Sequence, residues 1–448
     1  MSRNRFGQRG LVALAGLLAV VVSIGPGSRI AAAATPNAVA QWNKIAEDAV
    51  VGSGAFQNEG LLYMAYVSAA VYDAVVAIQG GYQPYGPGVT APAGASVDAA
   101  VVEAAYRTLV NYFPTQAGLL DPLYTQALAA IPDGQAKDDG RLAGLAAADL
   151  IIALRINDGR MTPIGITSPF PTLAPGPGVW RLTPPPFAAP QTPWVGQVAP
   201  FFLDSPDQFL PDPPPSLASA EWTEAFNEIK LYGAATGSAR TPDETAIALF
   251  WTANAIRQYN RVVRDLIDGL GLSALESARL QAMVNMIGAD AQIAVMNAKY
   301  HFLFWRPVTA IDPTSVKASG DGFGPVPGYD DGNPATAEEA GWRPLATTPN
   351  HPEYPAAHGS LTSAMAEVLS TFLDTNHFSL LIRGFDPAGG AGNMNAVQVF
   401  SMPGELRNQI IDARMWAGLH YRFSTVAGVV LGRKVAKHAL RVGFQPAQ

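Results

Sequence analysis

The chain has no cysteine in 448 residues. That excludes disulfides, a thiolate metal site and a cysteine nucleophile, so any chemistry must use His, Asp, Glu, Lys, Arg or hydroxyl groups. Charge is sparse as well. Asp, Glu, Lys and Arg make up 15% of the residues, too few for a solvated disordered chain or a coiled coil. There is no Gly-rich phosphate loop, no HExxH pair, no EF-hand pattern and no internal repeat. Histidine is rare enough to inspect singly: His301, His351, His358, His377, His420 and His438.

What the chain does contain is apolar mass, 48% hydrophobic residues with 9% aromatic, and enough length to bury a large core. Arg3, Arg5 and Arg9 precede an apolar run from Leu11 to Ile24, followed by the small residues Ala31 to Ala34. This order reads as a secretory signal peptide over residues 1–34. The run is shorter than the roughly 20 residues a spanning helix needs, so the reading is an exported, secreted or periplasmic protein without stable membrane insertion. Cleavage would remove four of the 29 basic residues and none of the 36 acidic ones, moving the net charge from −7 to −11. Such a chain has little attraction for nucleic acid.

Beyond residue 35 we read one large helical domain: N-terminal helices over about 38–160, a proline-rich strap over 163–215 and a C-terminal bundle over about 219–443. Alanine, leucine and methionine dominate with little period-two alternation, which predicts an all-α fold. Thr241, Pro242 and Glu244 spell an N-cap, a first-turn proline and a capping box, predicting a helix to about Arg264. Sixteen prolines between 163 and 215 exclude helix and central strand there. The aromatics Phe170, Trp180, Trp194, Phe201 and Phe202 favour a strap packed on the bundle over a solvated linker. A second irregular stretch, 312–354, leads into the last third of the chain; loops of that length are usually functional.

Three blocks there can carry chemistry. In "NAKYHFLFWRP", Lys299 and Arg306 are seven residues apart, two helical turns, which would put both cations on one face; they could clamp one anion or simply suit a helix end. In "HPEYPAAHGSLTSAMAEVLSTFL", Leu361, Met365, Val368 and Leu369 mark a buried helix face, placing His358 at a helix N-terminus, where free N–H groups favour an oxyanion. Taken alone, His358 could equally be a filler. In "DARMWAGLHYRFSTVAGVVLGRKVAKHAL", Arg414 and His420 are six apart, about 120° around a helix, flanking whatever approaches Gly418. Asp73, inside an apolar helix, needs a partner; a site arginine is one candidate and a structural role is another. His301, His377 and His438 read as structural or exposed.

Together the blocks supply three cations and two histidines, the donors an oxyanion requires. The order K-x6-R-P, P-x-x-H, R-x5-H over residues 297–433 resembles the vanadium-dependent haloperoxidase and type 2 phosphatidic-acid-phosphatase superfamily, a family of helical bundles. "YVSAAVYDAV", the proline-rich strap and "TAIALFW" are more loosely similar to its exported bacterial haloperoxidase-related branch. The resemblance implies that Lys299, Arg306, Arg414 and the Ala357 N–H bind the oxygens of vanadate or phosphate. It makes His420 the vanadium ligand or phosphate nucleophile, and His358 the acid–base residue. Three positions depart from the pattern. Ala356 and Ala357 replace the usual Ser-Gly, and Ser424 stands where many members carry the aspartate that orients the histidine. His351, five before Ala356, leans towards the bromoperoxidase-like arrangement.

The resemblance implies an enzyme that oxidises halide with hydrogen peroxide at a histidine-bound vanadate and passes the oxidised halogen to an organic acceptor. A phosphomonoester hydrolase working through a phosphohistidine, or a phosphate/vanadate-binding protein that has lost activity, would use the same cradle. A homo-oligomer is compatible with each.

Overall fold

Apolar stretches without alternation fold here, as expected, into helix after helix. The structure, a computed structural model, describes residues 37–162, 176–184, 187–315, 330–384 and 396–447. The signal-peptide reading of 1–34 and the opening of the proline-rich segment, with Phe170, lie outside the described residues. The first five helices are α1 (Ala38–Gly52), α2 (Gln57–Gln79), α3 (Val97–Tyr112), α4 (Ala117–Ala129) and α5 (Gln135–Leu154). Four more follow the proline-rich segment: α6 (Ala220–Tyr232), α7 (Pro242–Phe250), α8 (Ala255–Leu270) and α9 (Ala274–Phe302). The last are α10 (Pro307–Ile311), α11 (Ala357–Phe372), α12 (Pro403–Trp416) and α13 (Arg422–Val442). A single antiparallel pair, β1 (Leu380–Arg383) with β2 (Val397–Phe400), is the only sheet among the described residues.

A helix apolar all round has to be surrounded. α2 is long and apolar enough to cross a membrane, yet it is the central helix of the bundle, 89% buried, enclosed by α9, α3 and α5. α9 starts at a capping box formed by Ser273 and Glu276 and runs through both halves of the core. The capping box at Thr241 is also present, but the helix it opens stops at Phe250. Asn254 accepts from the N–H groups of Ile256 and Arg257 and starts α8 afresh, which corrects the expectation of one helix to Arg264.

Proline lacks an N–H, so a proline-rich segment can be fixed only through its few remaining backbone groups. Asp290 on α9 accepts from the N–H of Phe201 at 2.7 Å and Phe202 at 2.8 Å, and the Arg155 guanidinium lies 4.3 Å over the Phe201 ring. Further back, the Trp180 N–H donates to the Leu303 carbonyl at 2.6 Å and the Gln191 N–H to the Asn350 carbonyl at 2.8 Å. Trp180, Trp194 and Phe201 are buried. These bonds tie the segment to 303, inside the first chemical block, and to 350, just before the second. Asp73 plays a different part, since its carboxylate accepts from the N–H groups of Tyr85 and Gly86 at 2.7 and 2.9 Å. The idea that it orients a site arginine is therefore corrected.

Candidate active site

Lys299 lies in the last turn of α9, which ends where Leu303 takes a left-handed conformation at φ 51°. Arg306 is then the N-cap of α10. The two cations converge across this break and not on one helix face, as their spacing had suggested. Lys299 Nζ donates to the carbonyls of Pro352 and Glu353 at 2.9 and 2.8 Å. Arg306 Nε donates to the His351 carbonyl and Nη1 to the Leu419 carbonyl, both at 2.9 Å. Its Nη1 is 3.2 Å from His420 Nε2 and its Nη2 is 3.0 Å from His351 Nδ1.

Arg414 closes α12, and Nη1 donates to the Trp251 carbonyl at 3.1 Å, a carbonyl freed by the break between α7 and α8. His420 is not on the same helix. Gly418, at φ +75°, turns the chain against Gly233 and Pro344, where a Cβ would meet the Gly233 carbonyl oxygen at 2.5 Å. His420 stands in the connection just before α13.

Ala356 is the N-cap of α11, with no side-chain cap. Ala357 and His358 form its first turn, where backbone N–H groups have no intrahelical acceptor. Ala357 is not among the positive-φ residues, so alanine in place of the family's glycine carries no backbone strain. A small cavity opens in front, lined by His351, Ala357, His358, Arg414, His420 and Phe56 among others. Lys299 and Arg306 are fully buried behind that lining. His301 and His377 are exposed; His438 bonds the Phe202 carbonyl, far from the site in its contacts.

Glu353 is the residue that sequence reasoning missed. It is fully buried, and its Oε1 is 2.8 Å from His420 Nδ1 and 3.1 Å from the Tyr421 N–H. Its one visible signal was an acid inside the otherwise uncharged run "PEYPAAH". Burial pushes its carboxyl up to about 7, against the opposing pull of Lys299 and Arg306. Burial lowers Arg306 to about 10 and, with Arg306 adjacent, Arg414 to about 9. Lys299, His351, His358 and His420 are held well below their ordinary values, first by burial and then by the neighbouring cations.

Two guanidinium groups and an amine face one carboxyl group among the described residues, and burying such an excess of basic groups in their charged form is costly unless an anion joins it. His358 Nε2 and Arg414 Nε find no hydrogen-bond partner among the described residues. Unpartnered nitrogens and an excess of basic groups fit a multiply charged tetrahedral oxyanion such as vanadate or phosphate, and would repel a bare metal cation.

Residues 279–447 match the family model of the vanadium chloroperoxidase (VCPO) second helical-bundle domain. A curated relative, vanadium chloroperoxidase of Curvularia inaequalis, is 25% identical across 54% of this chain and 47% of its own length. The match thus spans about half of that relative. Among solved structures, a bacterial vanadium-dependent iodoperoxidase superposes with a TM-score of 0.72 at 22% identity, covering 91% of this chain and 98% of that one. An apo-type bacterial vanadium-dependent chloroperoxidase gives 0.61 at 15% identity, covering 85% and 92%. Residues 279–447 are thus similar to the vanadium chloroperoxidase second helical-bundle domain, within a chain that has the helical fold of these solved bacterial vanadium-dependent haloperoxidases.

Proposed function

We propose that the chain is a vanadate-dependent haloperoxidase-type enzyme that oxidises halide with hydrogen peroxide. The observation that carries this reading is the convergence of Arg414, His358 and His420 on one cavity, with Arg306 against His420, Lys299 buried behind, and Arg414 Nε and His358 Nε2 left unpartnered. Bound vanadate would supply a Lewis-acidic centre able to activate peroxide. Arg306 and Arg414, with the Ala357 N–H, would hold its oxygens, and Lys299, which keeps one N–H beyond its two carbonyl bonds, would add charge from behind. His420 would present Nε2 as the ligand. His358, whose ring faces the cavity, would hold or release a proton at Nε2; burial beside three cations favours its neutral form, and an incoming anion would raise its affinity for a proton.

Phosphate fits the same cradle, and a phosphomonoester hydrolase is the competing reading. The purified protein should therefore be assayed with orthovanadate, peroxide and bromide or iodide, and in parallel with a phosphomonoester and no vanadate. Halide oxidation that depends on vanadate and vanishes in His420→Ala supports the proposal. Phosphate release lost in the same variant, with no halide oxidation at any vanadate concentration, refutes it. Export through residues 1–34 belongs to the proposal as well; N-terminal sequencing of the mature protein should begin near residue 35.

A further inference from the structure

We propose that Glu353 is the positioning residue that fixes the tautomer and orientation of His420. In this chain it fills a role for which the family resemblance leads one to look at position 424, occupied here by serine. The proposal rests on the reading of His420 as the residue that faces the anion.

Two independent partners specify the same state of the ring. An ionised carboxylate only accepts hydrogen bonds, and Glu353 Oε1 already accepts from the Tyr421 N–H, so in that state its 2.8 Å contact places the proton on His420 Nδ1. Arginine only donates, so Arg306 Nη1 at 3.2 Å requires a lone pair on His420 Nε2. Both conditions describe one neutral tautomer, with an unprotonated Nε2 whose lone pair is engaged by Arg306 until an incoming group takes it. Glu353 is itself held in place: the same Oε1 accepts from Tyr421 N at 3.1 Å, at the N-terminus of α13, where a negative charge is favoured.

Ser424 cannot do this work where it stands. Its hydroxyl reaches the Glu353 carbonyl at 3.4 Å, and its own carbonyl accepts from the Ala356 N–H at 3.0 Å. It fastens the loop that carries Glu353. The loop lies this close because α13 presents small residues to it; a Cβ on Gly428 would meet the Ala356 carbonyl oxygen at 2.3 Å. The carboxylate beside His420 thus comes from the loop and not from α13, and a second one at 424 would crowd it with like charge.

The test is a pair of variants, because removing the only carboxylate among three cations outright can unfold the chain. Glu353→Gln keeps volume and one acceptor oxygen but loses the charge; it should weaken orthovanadate binding, measured by calorimetry, by about tenfold or more. In ligand-free protein, the ¹⁵N resonances of the His420 imidazole should move from one tautomer towards a mixture. Glu353→Gln with Ser424→Asp should restore both, whereas Ser424→Asp alone should weaken binding. Unchanged affinity and unchanged ring resonances in Glu353→Gln, or a double variant no better than the single one, would overturn the proposal. If even the wild type fails to bind orthovanadate, the anion reading falls, while the ring resonances still decide the role of Glu353.

Discussion

Replacing Ala356 by serine tests the anion site at its weakest point. Ala356 is fully buried and caps α11 with φ −73° and ψ 123°, the extended geometry of an N-cap. A serine hydroxyl there can accept from an N–H of the first turn, which is worth about 1 kcal/mol of stability with no anion present. The hydroxyl proton remains to be donated, and an oxyanion above the helix N-terminus would receive it. A hydrogen bond to a charged group contributes about 1.5–3 kcal/mol, or roughly 10- to 150-fold in affinity. The two effects separate when thermal unfolding of wild type and Ala356→Ser is followed across an orthovanadate titration, with phosphate in parallel. The ligand-free curve should rise modestly, and the variant should then reach a given stabilisation at a tenfold or lower concentration. A rise in the ligand-free protein with identical titrations would show that no anion sits over α11, and would remove Ala357 and His358 from the site.

Arg306→Lys should not be conservative: it leaves the buried His351 and Leu419 carbonyls short of donors, at a cost of at least about 2 kcal/mol; urea unfolding that moves by less than about 0.5 kcal/mol would contradict this. Gly432→Ala should destabilise despite the higher helix propensity of alanine, because its Cβ would meet the Ser360 carbonyl oxygen at 1.9 Å; a loss of about 1–3 kcal/mol in the same assay is expected. Asp290, held up to about 7 by burial from an ordinary 3.8, keeps a proton in the folded state that the unfolded chain releases. Its contribution therefore falls as pH rises from about 4 to about 7, by ~4 kcal/mol at most. Asp290→Asn should remove that fall, and parallel stability–pH curves for wild type and variant would refute the assignment.

The helices, the capping box at Thr241 and the three chemical blocks were legible because composition and spacing report on local preference. What spacing could not report is where helices break. The spacing puts Lys299 and Arg306 on one helix face and Arg414 and His420 about 120° apart on one helix, yet Leu303 and Gly418 end those helices in left-handed conformations. For leucine nothing local asks for this; the Trp180 N–H, arriving from the proline-rich segment, takes the Leu303 carbonyl. The helix expected to run to Arg264 stops at Phe250 because Asn254 caps a new one. Glu353 stayed hidden for a related reason. Its partner, His420, is 67 residues away, and periodicity describes neighbours on one element, not a loop laid across another.

The breaks have a common consequence for the site. Two of them free carbonyls that brace cations, Leu419 for Arg306 and Trp251 for Arg414, and the loop before α11 supplies the rest, Pro352 and Glu353 for Lys299 and His351 for Arg306. A carbonyl dipole fixes a guanidinium or ammonium without neutralising it, whereas a carboxylate at the same position would cancel the charge. Bracing by backbone thus leaves the positive field directed at the cavity. The single carboxylate admitted among the described residues, Glu353, contacts His420 at Nδ1, the ring nitrogen opposite the one beside Arg306. It orders the histidine from behind and leaves Nε2, with the unpartnered donors of Arg414 and His358, to meet an anion.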